Sequence, residues 1–482
     1  MHAMTQEVVR DLLMGSSKAT ALGGVLAALH VEMAEFDVDL PRTFGVGRRF
    51  VRHVRAAASH VHPGDAGCAT NLVLAAVCGQ AGIFFADVTC SYIDALAMHH
   101  AALQASTSAR GAEHLDVAAA FQSIANVHLD QAKYDEALVV YQKSIDITIK
   151  VLGPAHAKVA ALYNKVAGTY KAQGRYDAAM ELYEKSIAIT IKVQGPGHAD
   201  VAALYHNMAR LYYAVGNYDE CLDLHQKSLD TRIKVKGADH PDVAGSYHGM
   251  AIVYFMQGRY DEALELQQKG LEIKVKTWGL DHPEVGATYD NMAMVCHALG
   301  KYEDALALQQ KCLAIDIKLK GLDHPEVAAS YNNMAQVYQA LGNYDEALAL
   351  NLKSLAIDIK AVGPDHPDVA ASYSNIADVY QAQGKGEEAL PLYQKSLDIM
   401  IKAKGGGHPD MVPPYDGLAK LYEARGAHAE ALELRQQSLA IRIKVKGRDH
   451  PDVIEACDRV ADLYEAQGLH EQARLARMTV PS

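Results

Sequence analysis

The chain is poor in the residues that most often announce a chemistry. It has a single Trp among 482 residues, no long basic run, and a formal net charge of −12. That balance argues against nucleic acid as the main partner, because phosphate binding needs clustered Lys and Arg. Seven cysteines are scattered and never form a C-x-x-C pair, so neither a disulfide framework nor a cysteine zinc site is expected. They suit a reducing, cytoplasmic setting. Met1 to Leu13 lacks the charged-then-apolar layout of a signal peptide. Long apolar runs are nearly absent too. Cys68 to Ala86 is uncharged and about long enough to cross a bilayer, but Thr70, Asn71 and Gln80 interrupt it, so a buried helix is expected and no membrane span.

Catalytic signatures are missing as well. Gly15-Ser16-Ser17-Lys18 does not have the spacing of a phosphate-binding loop, and no G-x-S-x-G or H-E-x-x-H occurs. No enzyme activity and no cofactor are expected.

What the sequence does have is a period. His114, His156, His198, His240, His282, His324, His366, His408 and His450 follow one another at intervals of 42 residues. Tyr163, Tyr205, Tyr247, Tyr289, Tyr331, Tyr373 and Tyr415 keep the same register, as does the column from Lys150 to Lys444. A fixed period of this length means one supersecondary unit repeated in a stack, in which each unit touches only its neighbours.

The unit around Asp323-His324-Pro325-Glu326-Val327 reads as two helices. Pro325 suits a first helical position, and Glu326 complements the positive end of the dipole. Tyr331, Met334, Ala335 and Tyr338 form one helical face, and Gly342 ends the helix. A second helix runs from Tyr344-Asp345-Glu346-Ala347-Leu348 to Gly363, with Lys360 at its negative end. First helices are expected near residues 116, 158, 200, 241, 283, 325, 367, 409 and 451. The ninth is followed only by His470 to about Met478, a short charged stretch suited to capping. Gly386, at a Tyr position, and Pro413-Pro414 predict an irregular eighth unit.

Upstream, Tyr92-Ile93-Asp94-Ala95-Leu96 lies 42 residues before Tyr134-Asp135-Glu136-Ala137-Leu138. Residues 61–111 therefore read as a degenerate repeat, with a helix from about Ala69 to Gly82 and extra residues before Tyr92. Residues 1–60 read as an irregular, partly disordered helical cap with helices at Gln6–Leu13 and Lys18–Glu35, and residues 112–482 as the array.

On these residues the unit resembles the tetratricopeptide repeat in its 42-residue form, the version found in kinesin light chains. The resemblance rests on Tyr331, Met334-Ala335, Tyr338, Gly342, Tyr344, Ala347 and the Gly-x-Asp-His-Pro between units, and extends from about residue 112 to 476. It implies an all-α, right-handed α-solenoid of stacked antiparallel helix pairs. It also implies a protein-protein interaction scaffold or adaptor that holds a peptide or loop of a partner in a concave groove lined by first helices. A chaperone-tail clamp is disfavoured by Ala161 and Ala203, and a motor partner lacks support from any N-terminal heptad region. The other reading is a regulatory or sensor array attached to an enzyme or NTPase assembly.

Opposite the packed stripe, a helical wheel places Ala329, Asn333, Gln336 and Ala340 on the groove side. Asn207, Asn291, Asn333 and Asn375 share one register there, where an amide could pair with a peptide backbone of any sequence. Alanines at 287, 329 and 371, and at 298, 340 and 382, leave room beside them. Lys165, His206, Arg210 and His248 make the second to fourth units basic, and Asp378, Asp416, Asp458 and Asp462 make the seventh to ninth acidic. Complementarity would then orient a bound segment. The histidine column cannot share a metal, since equivalent residues stand a full repeat apart, roughly two ~10 Å helix diameters. Each His is expected to cap a helix or hold a turn.

Overall fold

In a computed structural model, Val54 and residues 68–88, 91–448 and 451–478 are described. The expected N-terminal helices at Gln6–Leu13 and Lys18–Glu35, along with His450, lie outside them. Every element among the described residues is helical. A first pair comprises α1 (Cys68–Ile83), extended by a π-helical turn over Phe84–Val88, and α2 (Tyr92–Arg110). The π turn takes up the extra residues before Tyr92. Then follow α3 (Leu115–Asp130), α4 (Tyr134–Leu152), α5 (Ala157–Ala172), α6 (Tyr176–Gln194), α7 (Ala199–Ala214), α8 (Tyr218–Lys236) and α9 (Pro241–Met256). The series continues with α10 (Tyr260–Trp278), α11 (Pro283–Ala298), α12 (Tyr302–Lys320), α13 (Pro325–Ala340), α14 (Tyr344–Val362), α15 (Pro367–Ala382) and α16 (Gly386–Lys404). A 3₁₀ turn, Pro409–Met411, precedes α17 (Val412–Ala424), and α18 (His428–Lys446), α19 (Pro451–Ala466) and the short α20 (His470–Met478) complete the order. No helix among the described residues is long and apolar enough to cross a membrane.

The chain divides into two compact units, Met1–Val253 and Tyr254–Ser482. Within each, a first helix packs on its second, and the second packs on the next first helix, giving the solenoid of helix pairs the period predicts. First helices also approach the first helices of neighbouring pairs, α5 on α7 in the first unit and α13 on α15 and α15 on α17 in the second. They therefore share one face of each stack.

Each pair crosses at two small residues. Ala125 meets Ala137 in the first unit, and Ala293 with Ala305, Ala335 with Ala347 and Ala377 with Ala389 do so in the second, all at most 1% exposed. The absence of larger side chains there lets the two backbones close together, and larger residues such as Tyr141, Ile145, Met334 and Tyr393 fill the space on either side. In the first unit a buried Ser ties each pair: Ser144, Ser186 and Ser228 donate to the carbonyls of Ala118, Ala160 and Ala202 at 2.7, 2.7 and 2.8 Å.

The histidine column caps helices. In His114, His156, His198, His240, His282, His324, His366 and His408 the ring Nδ1 accepts the backbone N–H two residues on, at 3.1–3.2 Å. An imidazole thus takes the place of the usual Ser, Thr, Asp or Asn acceptor at the N-cap. The lysine column is structural too. Lys318 pairs with Asp281 at 2.5 Å and Lys402 with Asp365 at 3.0 Å, and Lys150 and Lys360 pair with Glu113 and Asp323 in the same way. All these groups are more than half exposed, so the pairs are worth little.

At the turn closing each second helix the backbone enters a region open essentially only to glycine; Gly363 has φ 88° and ψ 161°. The turn closing each first helix also has positive φ, supplied by glycine in eight repeats and by Ala132, at φ 56°, in one. Ala132→Gly is therefore expected to stabilise the chain by about 1 kcal/mol, because alanine is strained there and glycine is not. His324→Ala should cost about 1 kcal/mol and His324→Asn much less, since Asn restores an acceptor. Urea titrations of the three variants measure both effects.

Candidate functional site

The exposed side of the first helices is where the sequence places a ligand. In α13 the buried stripe is Val327, Ala328, Ser330, Met334, Ala335 and Val337. Tyr331 and Tyr338, expected on that face, are half-buried at its margin. At the Tyr331 register Tyr289, Tyr373 and Tyr415 are buried in the core, and lysines from the second helices lie over the rings, with Lys353 Nζ 5.6 Å from the Tyr331 ring centre and Lys395 Nζ 4.3 Å from that of Tyr373. Ala329, Gln336 and Ala340 are exposed and Asn333 half-buried, as the wheel predicts, and Ala287, Ala298, Ala371 and Ala382 are exposed beside their own helices.

In the first unit, Lys165 and Arg210 are exposed and have no ion-pair partner among the described residues, whereas His206, Asn207 and His248 are half-buried. Asn207 donates its amide to Asn164 Oδ1 of the preceding first helix at 3.1 Å. His206 meets a residue that the sequence did not single out, His225 on α8, edge to face with ring centres 5.1 Å apart. His225 is 2% exposed, and the space for its ring is the missing side chain of Gly249, where a Cβ would lie 2.4 Å from His225 Cε1. Arg232 anchors the adjoining turn, donating to the Asp242 carbonyl at 2.7 Å and to Ser246 Oγ at 2.9 Å.

Nδ1 of both rings is buried without a hydrogen-bond partner. Burial, with His225 and Arg232 next, lowers the pKa of His206 to about 3, and burial followed by Arg232 lowers that of His225 to about 4. Both rings are neutral near pH 7. A depressed imidazole pKa means that the unfolded chain takes up the proton first, so this pair costs stability progressively as pH falls from about 6.5 to about 4. His225→Gln, which copies Gln267 and Gln309 at the equivalent register, should flatten that decline in denaturant titrations between pH 4 and 7. An unchanged slope would show that burial does not hold this ring neutral.

The second unit holds Asn291, Asn333, Gln336, Asn375 and Asp378. Asn333 donates to Asp290 Oδ1 at 2.9 Å, bridging two first helices, and burial raises the pKa of that carboxyl against the pull of the Asn333 bond. The side-chain amides of Asn291 and Asn375 have no hydrogen-bond partner among the described residues, and Gln336 is exposed. Asn375 also accepts through its backbone carbonyl from Asn351 Nδ2 at 3.3 Å. The asparagine register thus splits: Asn207 and Asn333 are committed to the neighbouring helix, and Asn291 and Asn375 have no such bond among the described residues.

The acidic positions split similarly. Asp416 is neutralised by Arg435 at 2.9 Å and Arg442 at 2.5 Å, and Arg477 reaches Asp462 at 2.8 Å and Asp458 at 3.8 Å. A broad acidic tract over the last units is therefore replaced by one carboxylate, Asp378, with no cation within ion-pair distance among the described residues. It accepts the hydroxyl of Tyr393, which also lies 2.8 Å from Gln381 Oε1. Burial raises the pKa of Asp378, against the Tyr393 bond and Lys420, and raises that of Tyr393 as well.

Beneath the first helices lies a column that the sequence did not single out either, buried at one register of the second helices. In the first unit it is Tyr141, Tyr183 and His225; in the second, Gln267, Gln309, Asn351, Tyr393 and Arg435. Its signal was a position changing among large polar types at the 42-residue period while its neighbours stay apolar or small. Gly417 is to Tyr393 what Gly249 is to His225, with a Cβ falling 2.8 Å from the Tyr393 ring. No group of three or more His, Cys, Asp or Glu side chains among the described residues is placed to hold a metal.

A family model described as "Tetratricopeptide repeat" matches residues 80–150, 122–192, 200–274, 284–360, 326–402, 368–444 and 413–476. Among solved structures, a putative kinesin light chain from Podosopora anserina with nearly identical repeats is 30% identical, covering 43% of this chain and 98% of that one, with a TM-score of 0.39. BtubC (BKLC) from P. vanneervenii is 23% identical over 48% of this chain and 92% of that one, with a TM-score of 0.42. The apo quorum sensor NprR of B. thuringiensis is similar over 78% of this chain and 98% of its own, at 16% identity and a TM-score of 0.52, a likeness of fold. No curated protein sequence matches the chain.

Proposed function

The chain belongs to the tetratricopeptide repeat family, and we propose that it is a non-enzymatic adaptor whose first-helix face holds an extended peptide or loop of a protein partner. One observation carries this reading: the amides of Asn291 and Asn375 make no hydrogen bond among the described residues, and the alanines flanking them, Ala287, Ala298, Ala371 and Ala382, are exposed. An unpaired amide on such a face offers two donors and an acceptor to a backbone laid across it, independent of the partner's sequence. The small residues around it keep space for that backbone.

Charge supports the same reading. Lys165 and Arg210 in the first unit and Asp378 in the second are charges with no ion-pair partner among the described residues. Within the first unit these charges favour an acidic segment, and within the second Asp378 favours a basic one. The lysine column competes poorly as a recognition surface because Lys318 and Lys360 are already paired with acids of the preceding turn. A cytoplasmic location is part of this proposal and is supported by the scattered cysteines, five of which (Cys78, Cys221, Cys296, Cys312 and Cys457) are buried thiols.

The test begins with affinity capture on the full chain and mapping of the captured partner's contact segment as a synthetic peptide. Asn291→Ala with Asn375→Ala should weaken that peptide by roughly five- to over a hundredfold, at ~0.5–1.5 kcal/mol for each lost hydrogen bond. Circular dichroism should be unchanged, since neither amide holds another helix. Lys318→Ala with Lys360→Ala should leave affinity nearly intact. Equal binding by the asparagine variant would move recognition away from the first-helix face.

A further inference from the structure

Within the second unit one interface between repeats is built differently from those before it. At the earlier ones a polar residue near the end of the second helix is bonded to a hydroxyl on the next first helix. Lys274 donates to Thr288 Oγ1 at 3.0 Å, Ser330 donates to Asp316 at 3.3 Å, and Ser372 to Asp358 at 2.7 Å. At the next interface the same registers hold Met400 and Pro414, which cannot make such a bond. The 3₁₀ turn at Pro409–Met411 delays the start of α17. A cleft of about 360 Å³ opens between α15, α16 and α17, with Met400, Pro413 and Pro414 in its wall and Asn375, Asp378 and Tyr393 on the side of the ligand face.

We propose that this cleft seats the side chain of a lysine or arginine from the bound segment, with Asp378 as its counter-ion. The inference rests on the adaptor reading and names the chemistry of one partner residue. Asp368, Asp378 and Asp410 line the cleft against a single ammonium, Lys404, which is bonded to Asp410. Neither Asp368 nor Asp378 has a Lys or Arg within ion-pair distance among the described residues, Lys420 acting on Asp378 only from beyond it, and Asp378 is the one that stands beside Asn375 on the first-helix face. The Met400 thioether and the ring of Tyr393 give an aliphatic stem a surface to lie on, which a long cationic side chain uses and a metal ion does not. Clefts for small ligands span ~300–1,000 Å³, so the volume suits one long side chain and its backbone. Asn375, with its amide unbonded, stands beside it to hold that backbone.

The probe is a dodecapeptide display library selected on the immobilised full chain, with the recovered peptides synthesised and titrated. Selected peptides should carry Lys or Arg at one register. Asp378→Asn, which keeps the acceptor for Tyr393, should weaken them ten- to a hundredfold. Replacing the peptide's basic residue by Gln should weaken wild type by a similar factor but the Asp378→Asn variant hardly at all, so that the two losses do not add. Asp378→Lys should regain binding to a peptide with Glu at that register. Peptides lacking basic residues, or bound equally by the Asp378→Asn variant, overturn this inference. If Asn291→Ala, outside the cleft, still weakens those peptides, the adaptor reading stands. If it does not, or if no peptide is selected, both fall.

Discussion

The turn between repeats is the constraint on which the rest of the stack depends. At the eight such turns described in full, a glycine adopts a conformation closed to other residues, and three residues later a histidine accepts a free N–H at the start of the next helix through Nδ1. His366 also donates its own N–H back to the Gly363 carbonyl at 3.4 Å, closing the turn. Glycine ends one helix and histidine starts the next at a fixed separation, so each pair enters at the same register and the alanine crossings fall opposite one another. A helix pair cannot bury its stripe alone. A consistent entry point is what lets the next pair bury it.

Once that register is held by a few positions, others are released to vary. The column under the first helices passes through tyrosine, histidine, glutamine, asparagine and arginine without loss of the fold, although His225 Nδ1, Gln309 Oε1 and Asn351 Oδ1 are buried without a hydrogen-bond partner among the described residues. Tyr141 donates to Asn126 at 2.5 Å, Arg435 binds Asp416 and Glu423, and His225 takes the space above Gly249. Buried polar groups need partners, and their variety differentiates one repeat from the next. The same variation sets which groups on the ligand face are spent internally. Asn333 is held by Asp290, whereas Asn375, with no equivalent bond, is not. Family membership explains the common frame, and these departures from it distinguish one repeat from the next.

Much of the fold was legible because its signals are local and repeated nine times. The 42-residue period, the glycine stops and the histidine starts gave first helices that begin within about a residue of their expected positions, and Pro413-Pro414 correctly marked the one that begins late. The wheel put Ala329, Gln336 and Ala340 on the exposed side, since 100° per residue is a property of any helix. It put Tyr331 and Tyr338 on the packed face, where both are half-buried, but could not show Lys353 lying over the Tyr331 ring from the second helix. His225, Tyr393 and the glycines that admit them escaped notice for a related reason: each matters through a neighbour 24 residues further along the chain.

The sequence by itself determined the helix pairs, their register and the face left to solvent. Each follows from spacing along one chain segment and from the fixed geometry of helix and turn. Only the tertiary structure decided which polar groups on that face remain free. Asn207 and Asn375 are the same residue type at the same register, and Asp378 and Asp416 look alike in the sequence. Whether an amide or carboxylate is bonded depends on what an adjacent helix brings within about 3 Å, a distance set by packing across repeats. Periodicity fixes where a side chain stands; its partner comes from packing that periodicity does not encode.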